Sequence, residues 1–95
     1  MLYPDFVEAK DVKFLRLETH EEASRTSLII EGFIFHSSLS VRNVTWKEEA
    51  GRIIVMVALK PTGVGLSGNF RAEVPLLTKD TQVLFGPSQT LIWPR

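Results

Sequence analysis

Arg52-Ile53-Ile54-Val55-Met56-Val57-Ala58-Leu59 decides how this chain is read. β-Branched residues dominate the stretch, no charge falls after Arg52, and it is too short for a buried helix, so it reads as a strand. Ile53, Val55, Val57 and Leu59 face one way, and Ile54, Met56 and Ala58 the other.

Upstream, Glu48, Glu49, Ala50 and Gly51 make a hairpin turn, with Gly51 free to take positive φ. Before the turn, Leu39 to Trp46 is a strand. Leu39 and Val41 share a phase that Val44 and Trp46 do not, which predicts a bulge near Arg42–Asn43. Ser27 to His36 is a further strand, apolar on both faces, expected to be central and covered on both sides. Gly32 inside it is expected to admit a large ring from the opposite sheet. Thr19 to Thr26 is polar and reads as a surface loop. Val12 to Glu18 precedes it as a strand with a bulge between Phe14 and Leu15, and residues 1–11 read as a loosely structured lead-in.

Downstream, Lys60 to Asn69 is a loop containing Pro61, Gly63, Gly65 and Gly68. Phe70, Ala72 and Val74 then alternate with Arg71 and Glu73. One wet face and a terminal Pro75 mark this segment as an edge strand. A turn at Thr78–Asp80 and a last hairpin, Thr81–Phe85 and Thr90–Trp93 around Gly86-Pro87-Ser88-Gln89, complete the chain. About seven short strands with turn chemistry between them predict one all-β domain over residues 1–95, an antiparallel two-sheet sandwich. No internal repeat or low-complexity segment is evident.

Composition narrows the function classes. Eleven basic and eleven acidic residues cancel to a net charge of zero. The basic residues are scattered, so the chain lacks the electrostatic footprint of a nucleic-acid binder. Near-neutrality favours self-association instead. Cysteine is absent, which rules out disulfides, thiol nucleophiles and thiolate metal sites. No apolar run approaches the length of a membrane-spanning helix. The expected setting is the cytoplasm, or that of a mature exported protein whose leader has been removed.

Gly63-Val64-Gly65-Leu66-Ser67-Gly68 is a literal G-x-G-x-x-G after a strand. A dinucleotide site needs a helix next, whose N-terminus holds the pyrophosphate. Asn69 to Pro75 is a strand pattern, so the glycines read as a loop crossing between sheets. His20 stands among Glu18, Glu21 and Glu22 without a metal-ligand spacing. His36 beside Ser37 and Ser38 is a poor base for either, since neighbours on a strand point to opposite faces. No catalytic residues, metal ligands or cofactor-binding residues are assigned. Asn43-Val44-Thr45 is a glycosylation sequon that matters only in a eukaryotic secretory pathway.

Among the aromatics, Phe14, Phe33, Phe35, Phe70, Phe85 and Trp93 lie on apolar strands and are expected in the core. Trp46, beside a turn, is expected either to cover the core or to offer a flat contact surface.

Ser27-Leu28-Ile29-Ile30-Glu31-Gly32 followed by a bulged strand, and Leu84-Phe85-Gly86 with the closing Leu91-Ile92-Trp93-Pro94-Arg95, resemble small bacterial immunoglobulin-like β-sandwich proteins of uncharacterised function. The resemblance covers about two-thirds of the chain. It implies a sandwich topology, assigns no activity and carries over no functional residue.

The functional expectation is a non-catalytic protein–protein interaction module. Its candidate surface is Trp46, Phe70, Arg71, Glu73, Gly63 and Gly65, and the exposed strand edge would take a protein partner or build a homodimer. Two other readings remain open at this point. One is an inhibitor or immunity-type protein presenting Pro61–Gly68 or Glu18–Glu22 to an enzyme. The other is a carbohydrate-binding module using Trp46 or Tyr3.

Overall fold

The computed structural model describes residues 6–35, 39–61, 68–78 and 80–94. Among these residues seven strands follow a 3-10 turn at Ala9–Asp11: β1 Val12–Glu22, β2 Arg25–Ile34, β3 Leu39–Glu49, β4 Arg52–Pro61, β5 Asn69–Pro75, β6 Gln82–Phe85 and β7 Thr90–Trp93. They form two sheets, ordered β1-β2-β5 and β3-β4-β6-β7. Their inner faces share one core, so the all-β, two-layer expectation holds. Among the described residues no helix is long and apolar enough to cross a bilayer.

One pairing departs from the antiparallel expectation. β4 and β6 run parallel, with Arg52 opposite Gln82 and Val55 opposite Phe85. β5, which lies between them in sequence, belongs to the other sheet. The chain therefore crosses between layers twice and re-enters beside β4 in the direction it left, the long connection that a parallel pair requires.

The polar segment Thr19–Thr26 is not a loop. β1 continues to Glu22, β2 starts at Arg25, and only Ala23 and Ser24 connect them. Both take positive φ, 50° and 69°. Ala50 and Gly51 do the same between β3 and β4, at 52° and 77°. These are the two-residue turns whose twist matches that of the flanking strands, and they keep the ladders paired to the tips. Polar composition misleads there because a ribbon tip exposes both of its faces.

The two hairpins are copies of one another. Val12 pairs with Ile34 in the first and Leu39 with Pro61 in the second, and a constant offset of 27 residues converts every pairing of one into the other. The bulges obey the same offset, at Leu15 and at Arg42. Glu21-Glu22-Ala23-Ser24-Arg25 and Glu48-Glu49-Ala50-Gly51-Arg52 are the matching tips, a repeat that the sequence reading passes over. Each bulge absorbs one residue and so restores the phase. Phe14 and Leu17 then pack on the same core, as do Val41 and Val44.

Fully buried Leu28 and Ile30 of β2 face Val55 and Val57 of β4 in the shared core, with Phe85 among them. The Phe85 ring meets Phe14 edge-on at 5.3 Å and Phe70 at 5.9 Å. Gly32 does admit a ring, but from its own sheet. A Cβ there would stand 2.8 Å from Cζ of Phe70, its neighbour across the β2–β5 ladder.

Residues 1–5 of the lead-in lie outside the described residues, and Phe6–Asp11 pack on the sheets rather than standing loose. Phe6 bridges to Ala58, and the Val7 amide donates to the Val57 carbonyl at 3.1 Å with its side chain in the core. Glu8 then reaches the β6–β7 turn. The Ser88 hydroxyl donates to one carboxylate oxygen at 2.8 Å and the Ser88 amide to the other at 3.1 Å. These two bonds hold the Glu8 carboxyl below its ordinary pKa of 4.5.

Two outcomes follow from this fold. Ser24 occupies the place that glycine fills in the second hairpin, so Ser24→Gly should raise stability by about 0.5–1 kcal/mol, and Gly51→Ser should lower it similarly. Urea melts of the three proteins check this. A lowered folded-state pKa makes the Glu8 contribution full above the unfolded value and lost as pH falls through the folded one. The stability gap between wild type and Glu8→Gln should therefore be largest at neutral pH and close below pH 4.5, read from melts across an acid titration.

Candidate interaction surface

In a two-layer fold each sheet buries one face and offers the other to solvent. On β2 the outward residues are Ile29, Glu31 and Phe33, with Phe35 continuing the row. Leu28, Ile30 and Ile34 take the core side. The expectation that β2 is covered on both sides is therefore corrected, and with it the core placement of two rings. Phe33 is 39% and Phe35 61% exposed, packed edge to face at 6.0 Å. The Phe35 amide donates to the Asp11 carbonyl at 2.9 Å, which continues the β1–β2 ladder and holds the backbone at that ring. Leu15 is the extra residue of the β1 bulge. With no opposite partner to pack on, it stands 58% exposed.

Beside these apolar residues runs a ladder of alternating charge across all three strands. Arg16 on β1 pairs with Glu18 and, at 3.6 Å, with Glu31 on β2. The same Glu31 oxygen lies 3.4 Å from Arg71 on β5. Arg71 also reaches Glu73 at 3.6 Å, and the Ser27 hydroxyl donates to Glu73 at 2.8 Å. These groups are one-third to one-half exposed, so each pair adds at most about 1 kcal/mol. Their effect is positional, because the side chains are held flat across the sheet. A shallow depression of about 370 Å³ lies beside the ladder, lined by Leu15, Glu31, Gly32, Asn69, Phe70 and Arg71.

The residues singled out in the sequence divide. Arg71 and Glu73 lie on this face, on the edge strand β5, which alternates exposed and buried residues as expected. Phe70 does not, since it is buried beneath Gly32. Trp46 sits on the core-side phase of β3, opposite Val55, yet stays 43% exposed and apart from the core cluster. It thus presents a flat ring on the other layer. Gly63 and Gly65 lie outside the described residues, as do Tyr3 and His36.

Phe33 and Phe35 are the members that sequence reasoning places elsewhere. The signal for the two rings was present in β2 itself. In a two-layer fold, one face of a strand apolar on both sides is turned away from the shared core, and on β2 that face carries Phe33, with Phe35 continuing the row. The outer face of the second sheet is also apolar, but Ile54, Ala58 and Leu84 are already buried there, leaving Leu91 and Phe6 exposed at its margin. Two further grooves of about 720 and 740 Å³ flank the β1–β2 tip, with Trp93 and Leu76 in the first and His20 and Glu73 in the second. His20 pairs with Glu22 at 3.5 Å, and among the described residues no three acidic or histidine side chains converge as a metal site.

The chain matches no family model, no curated protein and no solved structure.

Proposed function

We propose that this chain is a non-catalytic protein-binding module whose contact surface is the outer face of the β1-β2-β5 sheet. The observation that carries the reading is the exposed Phe33–Phe35 pair, flanked by Leu15 and bordered by the Arg16–Glu31–Arg71–Glu73 ladder. Exposed aromatic rings with arginine beside them form the chemistry in which binding energy concentrates at protein interfaces. Alternating charge around an apolar centre supplies orientation and selectivity, because a wrong partner meets like charges. A rigid sheet presents these groups at little entropic cost.

The two-layer arrangement is what supports kinship with immunoglobulin-like sandwiches, and the parallel β4–β6 pair speaks against it. Trp46 offers a second flat surface suited to a sugar ring or a peptide.

Immobilised wild-type chain and the Phe33→Ser/Phe35→Ser variant, each exposed to lysate of the source cells, test this reading. A protein retained by wild type should be lost from the double variant by about tenfold or more. Trp46→Ala should retain it. Both variants should melt close to wild type, since the altered side chains are exposed. Equal capture by wild type and the double variant would contradict the proposal.

A further inference from the structure

The edge of this same sheet specifies a partner. Among the described residues β5 is an edge strand hydrogen-bonded to β2 alone, in a register that sets Gly32 opposite Phe70 and Ile30 opposite Ala72. Backbone bonds fix the phase of that ladder at both ends. The Leu76 amide donates to the Thr26 carbonyl at 2.8 Å, and the Ile34 amide to the Gly68 carbonyl at 3.0 Å. Antiparallel ladders alternate, so Phe70, Ala72 and Val74 turn their backbone groups toward β2. Arg71 and Glu73 turn theirs toward the open edge. Their side chains stand on the outer face, 53% and 43% exposed.

We infer that β5 pairs with β5 of a second copy of the chain, antiparallel about a two-fold axis at Ala72, joining two three-stranded sheets into one. The inference rests on the interaction-module reading above and names one partner for it. A two-fold pairing centred on Ala72 sets Arg71 opposite Glu73 of the second copy, and Glu73 opposite its Arg71. Both are residues whose N–H and C=O point to the open edge, so each such pair exchanges both backbone bonds while its side chains neutralise. On the inner face the same register sets Phe70 beside Val74 of the second copy, an aromatic and β-branched pair of the kind that stabilises sheets. Ala72, small and central, meets itself.

Other registers fail on charge. A slip by the two-residue pleat repeat puts either Arg71 opposite Arg71 or Glu73 opposite Glu73. An edge defended by charges of one sign repels its own copy. This edge alternates sign on one face, so it repels a misaligned copy and accepts an aligned one. Pro75, without an N–H, ends the ladder. A chain of zero net charge has no global repulsion to overcome.

Sedimentation velocity on the full chain, from micromolar to near-millimolar concentration, tests the inference. Wild type should sediment at twice the mass of one chain. Arg71→Glu alone and Glu73→Arg alone should each dissociate, with dimerisation weakened about a hundredfold or more by like charges facing across the axis. Mixed together, the two variants should recombine as a heterodimer, because every facing pair is then opposite in sign. One chain carrying both substitutions should dimerise alone. The mixing step separates a contact across the axis from a merely structural effect of either substitution. Monomeric wild type at the highest concentration, single variants that remain dimers, or a mixture that fails to combine would each overturn the inference. Capture through Phe33 and Phe35 reads the module proposal separately, so either can fail without the other.

Discussion

A sheet in a two-layer protein can hide only one of its faces, and the rest of this structure follows from that limit. β2 and β4 carry apolar residues in both phases of the pleat. One phase of each builds the common core around Phe85. The other phase is left over. On β4 the surplus is partly hidden by its own neighbours, since Ile54 and Leu84 lie side by side and are buried. On β2 only Ile29 of that phase is hidden, and Phe33 and Phe35 are exposed. Exposed rings of that size are costly to leave unpartnered, and their burial in a complex would recover the hydrophobic free energy that the lone fold forgoes.

The same limit explains the bulges. An edge strand running the length of its hairpin cannot keep a strict two-residue alternation and also follow the twist of the sheet beneath it. By inserting Leu15 and Arg42, β1 and β3 each change phase once, so that Val12, Phe14 and Leu17, like Leu39, Val41 and Val44, all reach the core. That the two insertions fall at one offset, with matching turn tips, makes the sandwich a pair of similar hairpins laid face to face. The later strands distinguish them. β5 joins the first hairpin, whereas β6 and β7 join the second.

Much of this was legible in the residues. The uncharged alternation of Ile53–Leu59, the bulge positions, the clean wet-and-dry pattern of Phe70–Val74 and the Gly86–Gln89 turn all follow from periodicity and turn chemistry. Four things were not. The tip Ala23–Ser24 carries no glycine, so nothing local announced a tight turn at positive φ. The parallel β4–β6 pair depends on which layer β5 joins, and strand patterns do not encode that choice. Phe33 and Phe35 looked like core because hydrophobicity tells how much a residue would gain from burial, not whether a layer exists to cover it. Arg71 and Glu73 were legible as edge residues, but their ladder with Glu31 and Arg16 needs three strands brought side by side.

The layering itself is most directly tested by proton–proton contacts in solution. A nuclear Overhauser spectrum of the chain should connect the Phe85 ring to Phe14 and Phe70 and the Gly32 α-protons to the Phe70 ring. The Phe35 ring should connect to Phe33 and to none of the methyl groups of Leu28, Ile30 or Val57. Strong contacts between Phe35 and those core methyls would contradict the account, because β2 would then be turned over and its surplus face would be the one inside.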